Sequence, residues 1–387
     1  MDINIFVKIL KDQHFTDYKK MSYKYGNDFK DFLNALDELY YKTLSLTDFD
    51  HHPIVFLENY ATVNQNVIKL LLHSQNQYYG IKAAEDEIIS SSAIENIDFN
   101  RESVRKILKG LAPKDEEENR ILGIKNGLEF IANTDNKITE LNIYQLYMMA
   151  IGNFLSDDDK LKEGNYYRHD SVYIVSNRIE HIGLDYKKVP DFMKSLVEFI
   201  NTEDNINDLI KAIIIHFYIA YIHPYFDGNG RMARLIHLWF LIQKGYQSTL
   251  FIPFSSQIEK SRKLYYKAYT TIEENKKYSG KIDVTPFILY FINNVYNKII
   301  EESRTSNVLA VYEAEVKKGV ITEKETKLWK FVLSCYGMEE FSTKQLEKDY
   351  GDAAYATIRS FVLKFTDLGL LQSIHYGTRI KYKVNDN

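Results

Sequence analysis

Residues 223–234 read His-Pro-Tyr-Phe-Asp-Gly-Asn-Gly-Arg-Met-Ala-Arg, a polar turn set between two apolar stretches. Gly228, Asn229 and Gly230 take positive φ at small or moderate steric cost, so their backbone N–H groups can converge into a concave nest for an anion. A helix opening near Gly230 would aim its positive end at the same spot. Arg231 and Arg234, three apart on that first turn, are spaced to hold phosphate oxygens by paired N–H bonds. His223, five residues before the nest, titrates near neutral pH and can take a proton from an incoming hydroxyl. Asp227 offers a hard oxygen ligand, and Mg²⁺ on phosphates needs only one or two protein carboxylates. Base, metal ligand and nest together describe transfer of a phosphoryl or nucleotidyl group, a reaction governed by positioning and charge neutralisation. A capping Asp and a structural His would account for single members of this set but not for all of it.

Such a loop needs rigid flanks. Residues 208–222 and 231–244 read as helices, the second closed by Gly245. Apolar recurrence at three and four predicts further helices over 29–46, 63–72, 117–131, 141–154, 189–200 and 286–302. The exception is 166–183, where Val172, Ile174 and other β-formers flank a Ser-Asn-Arg turn and predict one β-hairpin. The polar stretch 303–320 reads as a linker or connecting helix. After it, a helix over 328–336, a second capped by Ser342, a third over 353–368 and an alternating ribbon turning at Gly377 describe a winged helix-turn-helix.

Composition bounds the rest. Hydrophobic residues make up 45% and charged residues 26% of 387, which excludes a wholly disordered or collagen-like chain. With 6 Pro and 17 Gly there are too few turn formers for an all-β sandwich. The 53 acids and 49 bases give a net charge of −4, so nothing draws the whole molecule to nucleic acid or an anionic membrane. Cys335 stands alone and can form neither an internal disulfide nor a thiolate metal site, which fits a reducing cytoplasm. The amino terminus has no basic leader before an apolar run, so no secretory signal is expected. The most apolar stretch, 212–226, falls short of the roughly 20 residues of a spanning helix, and no membrane partner is expected. His216 reads as a hydrogen-bonded core residue, and His51 and His52 have no third ligand nearby to argue for zinc. His237 could face either the core or the site.

The loop resembles the signature HPFx[D/E]GNGRxxR of Fic (filamentation induced by cAMP) domain proteins, matching it at every polar position. Tyr225 replaces the usual Phe and should keep the anchoring ring if its hydroxyl finds a partner. The resemblance implies a mainly α fold: an N-terminal helical region over 1–112, a Fic core over 113–302 with the hairpin as its flap, a linker over 303–322 and a winged-helix module over 323–387. It implies transfer of AMP from ATP to a Tyr, Ser or Thr hydroxyl of a protein, with pyrophosphate released. By position, His223 would be the general base, Asp227 the Mg²⁺ ligand, Gly228, Asn229 and Gly230 the nest for α- and β-phosphates, and Arg231 and Arg234 the holders of β- and γ-phosphates. Tyr265 and Tyr266 could line an adenine pocket, although core packing explains them as well. The flap around Val172 and Ile174 would hold the target by adding its backbone as another strand.

A second motif lies upstream. Ser91-x-x-x-Glu95-Asn96 is similar to the inhibitory motif [S/T]xxxE[G/N] of one class of these proteins, carried on a helix over about 82–97. Glu95 would then pair with Arg234 and put negative charge where the γ-phosphate must sit. In some relatives the same Glu positions a water that removes AMP, so the reverse reaction and transfer of another nucleotide stay open, as do self-modification and a homo-oligomer. The terminal module carries ten Lys or Arg against nine Asp or Glu, and its local basic strip is Arg379, Lys381 and Lys383. That balance weakens the competing reading, a DNA-binding regulator with the Fic core as nucleotide sensor.

Overall fold

The computed structural model describes residues 2–72, 80–176, 179–304, 308–337 and 339–385. Its centre is an antiparallel pair of helices, Asp208–Ile222 and Asn229–Gln243. Every residue from Leu209 to Ile219 is buried, Lys211 included. A helix apolar all round belongs in the middle of a bundle. The one charge is met there: Lys211 Nζ donates to Thr202 O at 2.6 Å and to Asp204 at 2.8 Å. Helices Glu116–Ala132, Val189–Asn201 and Thr285–Phe291 pack on the pair, and Tyr265 and Tyr269 of Arg262–Ser279 reach it through ring contacts with His216 and Phe217. Three two-stranded antiparallel sheets complete the described chain.

One expected helix is half strand. The helix Asn27–Leu39 stops, and Tyr41–Thr47 pairs antiparallel with Pro53–Leu57. Within Tyr41–Thr47, Leu44 and Leu46 are buried while Thr43 and Ser45 are exposed, a period of two that the preceding helical period concealed. The hairpin belongs to the central core, and Val55 exchanges backbone bonds with Ile282 and Val284 at 3.0 and 2.9 Å. Its turn brings Asp48, Asp50 and His52 together, a grouping that corrects the expectation of no third ligand. Lys276 Nζ is seated there, 2.8 Å from Asp48 and 3.0 Å from Asp50. The first three helices form a separate small core around Phe29, Phe32 and Leu36.

The stretch expected as a linker contains the helix Val308–Lys317, whose Tyr312 joins the terminal core. Helices Glu323–Cys335, Thr343–Tyr350 and Tyr355–Asp367 pack there with the hairpin Leu371–Tyr376 and Arg379–Val384. The second of these helices is capped by Ser342, which accepts from Gln345 N at 3.1 Å. No described helix is long and apolar enough to cross a membrane.

Candidate active site

His223 ends the first central helix in a left-handed turn, φ 55 and ψ 62. A non-glycine residue rarely adopts that conformation, although His is among the types enriched in it. The left-handed turn followed by Pro224 stops the helix and swings the loop back across its end. Burial lowers the His223 pKa to about 4, against a hydrogen bond to the Ala220 carbonyl that raises it. The imidazole is therefore neutral at pH 7, the form that accepts a proton.

Tyr225 anchors the loop. Its ring is fully buried and stacks on Tyr147 with centroids 3.6 Å apart. Its hydroxyl has no hydrogen-bond partner among the described residues, so the expected partner is not found and stacking does the anchoring. Asn229 closes the turn: its Oδ1 accepts from Tyr225 N at 2.9 Å and its Nδ2 donates to Tyr225 O at 2.8 Å. With the amide side chain spent in this way, only the Asn229 backbone N–H is left for a ligand.

The glycines differ in their reasons. Gly228 has φ +83 and stands at the N-cap without a side-chain cap, leaving the helix start free to face an anion. Gly230 is helical, contrary to the positive φ expected for it, and a Cβ there would collide with Glu95 Oε1. Asp227 accepts from Gly228 N at 2.6 Å and pairs with Arg231 Nη2 at 2.9 Å, its side chain 54% exposed. A half-exposed carboxylate at the mouth of a cationic nest suits a phosphate-bound Mg²⁺. Arg231 Nε and Arg234 Nη1 are buried donors with no partner among the described residues, as an anion site requires.

Ser91 and Glu95 meet Arg234. The motif helix runs Gly80–Ile94, so Glu95 and Asn96 lie just past its end, and Asn96 has φ 60. Arg234 Nε donates to Ser91 Oγ at 2.9 Å, and Nη2 donates to Ser91 O and to Glu95 Oε1, both at 2.8 Å. Burial opposes the Arg234 charge, but Glu95, with Tyr265 and Glu87 adding to it, more than offsets that and the guanidinium pKa is raised. Asn96 accepts from Arg262 Nη2 at 2.9 Å, and Tyr266 OH donates to Ile94 O at 3.2 Å. Tyr266 and Arg262 thus hold the end of the motif helix, a role its sequence gave no sign of. Tyr265 bonds His216 Nε2 at 2.9 Å inside the core, and His237 lies in the core against Tyr296.

The expected hairpin is present as Tyr173–Ser176 paired with Ile179–Ile182. Two of its three turn residues, and the Ile174 side chain, lie outside the described residues. Val172 O accepts from Gly183 N at 3.1 Å and closes the foot of the hairpin. In the terminal ribbon, Lys381 is 3.3 Å from Glu340, so the basic strip is partly neutralised.

Residues 137–241 match the model of the Fic/DOC family. The chain is 24% identical over 266 residues to the protein adenylyltransferase Fic of Culex quinquefasciatus, covering 64% of this chain and 49% of that one. It is 28% identical over 141 residues to a probable protein adenylyltransferase of Aquifex aeolicus, covering 35% of this chain and 43% of the other. The chain thus spans about half the length of these relatives or less. Among solved structures it shares the fold of a Fic family protein from Desulfovibrio desulfuricans, with TM-score 0.50, 18% identity, and coverage of 84% of this chain and 98% of the other. Fic-1 from C. elegans also gives TM-score 0.50 at 20% identity, covering 79% and 86%.

Proposed function

We propose that this chain, whose residues 137–241 match the Fic/DOC family model, is an autoinhibited transferase of AMP from ATP to a protein hydroxyl. One observation carries the reading: a single carboxylate, Glu95, pairs with Arg234 Nη2 and stands over Gly230 of the nest. In the uninhibited state the Gly228–Gly230 backbone and the two arginines would hold the phosphates, with Arg231 Nε and Arg234 Nη1 finding acceptors there. Neutral His223 would take the proton of the target hydroxyl as its oxygen attacks the α-phosphorus, and the bond to the bridging oxygen would break to release pyrophosphate. Bound through Asp227, Mg²⁺ would supply charge neutralisation on the phosphates. With Glu95 in place, the γ-phosphate would meet a like charge and lose one guanidinium fork. The relatives named protein adenylyltransferase support this reaction type.

The test is mass spectrometry of wild-type, Glu95→Gly and His223→Ala proteins after incubation with Mg²⁺ and a mixture of nucleoside triphosphates. Glu95→Gly should incorporate AMP into itself or an added protein well above wild type, and His223→Ala in the Glu95→Gly background should incorporate none. Equal incorporation by wild type and Glu95→Gly would refute the brake. Incorporation of a different nucleotide would reassign the substrate.

A further inference from the structure

We propose that Arg168 is a positioning residue that ties the backbone of His223 to both feet of the flap hairpin, setting the target hydroxyl against the base. This inference rests on the transfer reading above and assigns a role to a residue outside its signature. Arg168 is only 2% exposed. No carboxylate pairs with it among the described residues, although a buried guanidinium ordinarily has one. Its donors go instead to three backbone carbonyls. Nε donates to His223 O at 2.8 Å, Nη1 to Asp170 O at 2.8 Å and Nη2 to Leu184 O. Its own N–H donates to Pro224 O at 2.9 Å, so the residue grips two consecutive carbonyls of the loop.

The identity of those carbonyls gives the argument its direction. Asp170 and Leu184 flank the two strands Tyr173–Ser176 and Ile179–Ile182, just outside the closure of Gly183 N on Val172 O. Gly183 makes room, since a Cβ there would come to 2.8 Å from Val172 Cγ2 and 3.4 Å from Arg168 Nη2. His223 is held in its left-handed conformation at the third carbonyl. A planar fork with fixed donor directions can lock three carbonyls at set angles; a lysine ammonium is a point donor on a flexible stem and cannot. If the flap presents the target as an added strand, Arg168 is, among the described residues, the one side chain bonded both to the feet of the presenting element and to the base-bearing residue.

The experiment replaces Arg168 by Ala and by Lys in the Glu95→Gly background and follows two readouts. For activity, kcat for AMP transfer should fall about 100-fold while ATP affinity stays within about threefold, because a misplacement near 1 Å costs that much. Added guanidinium ion should restore part of the Arg168→Ala rate, and Arg168→Lys should not recover it. Equal kcat in parent and variants, or ATP affinity lost in step with kcat, overturns the assignment. For structure, hydrogen exchange should rise together in peptides covering 168–172 and 222–226, with the central helices unchanged; a rise in neither, or in one alone, also overturns it. An inactive Glu95→Gly parent would count against the transfer reading, and the exchange readout would still decide this one.

Discussion

At the residue scale the proposed function sets one carboxylate, Glu95, against a phosphate for the same guanidinium, across a glycine. Gly230 lets Glu95 approach the helix start, since any Cβ would meet Glu95 Oε1. Gly230→Ala should therefore destabilise the protein by about 1 kcal/mol, because the Glu95 carboxylate, the far end of a flexible side chain, can yield at the cost of its pair with Arg234. In the Glu95→Gly background only Arg234 Nη1, at 3.3 Å and free to give way, still faces the new Cβ, and Ala in a helix is intrinsically better than Gly. The same substitution should there be neutral or stabilising, giving a coupling of at least about 1 kcal/mol in a double-mutant cycle read by urea unfolding. Additive effects would mean that Glu95 leaves the glycine when unrestrained. The signature loop was legible in the sequence because its chemistry is consecutive. Arg168 was not, because its meaning lies in three backbone carbonyls distant in the chain, and backbone acceptors leave no mark on residue type.

At the scale of elements, helix periodicity read the central pair correctly and misread residues 41–47. There the helical spacing of Leu36 and Tyr40 runs on into a strand whose own alternation covers only seven residues. The terminal helices and ribbon were legible through caps and turns, at Ser342 and at Gly377 with φ +62. What periodicity left open was which side His237 faces. His216 and His237 are both fully buried, and burial drives both pKa values down, that of His237 to about 3. A folded-state pKa below the unfolded value means the unfolded chain binds more protons as pH falls through about 6.5, so this contribution to stability is full above that pH and is lost in acid. Between pH 7 and 5 His237 alone should account for about 2 kcal/mol of lost stability. Urea unfolding at the two pH values should show a smaller acid loss in His237→Phe than in wild type, whatever its stability at pH 7. An unchanged pH dependence would mean that His237 is protonated in the folded state.

Across the whole molecule, the motif helix is held at both ends by different parts of the chain. Its last turn is fixed by Arg262 and Tyr266 of the helix Arg262–Ser279. Its first turn is fixed by the terminal module: Ile81 packs on that core, and Glu339 lies 3.0 Å from Lys82, 3.6 Å from Arg101 and in contact with Arg105. Glu85 and Asp86 complete the cluster from the motif helix itself, so three cations face three acids. Removing the one acid that the terminal module supplies leaves an excess positive charge in the cluster at the first turn of the helix that leads to Glu95. If the brake is a rigid helix, loosening that turn should shift Glu95 away from Arg234. Glu339→Lys, with Glu95 intact, should then raise AMP incorporation about fivefold, the population change for roughly 1 kcal/mol of lost anchoring. Because the partners are partly exposed, raising ionic strength should move wild type in the same direction and the variant less. Hydrogen exchange over 81–86 reports the loosening directly. If exchange rises there while incorporation stays at the wild-type level, the helix yields at its first turn without passing the motion to its last, and Arg262 and Tyr266 alone set the brake.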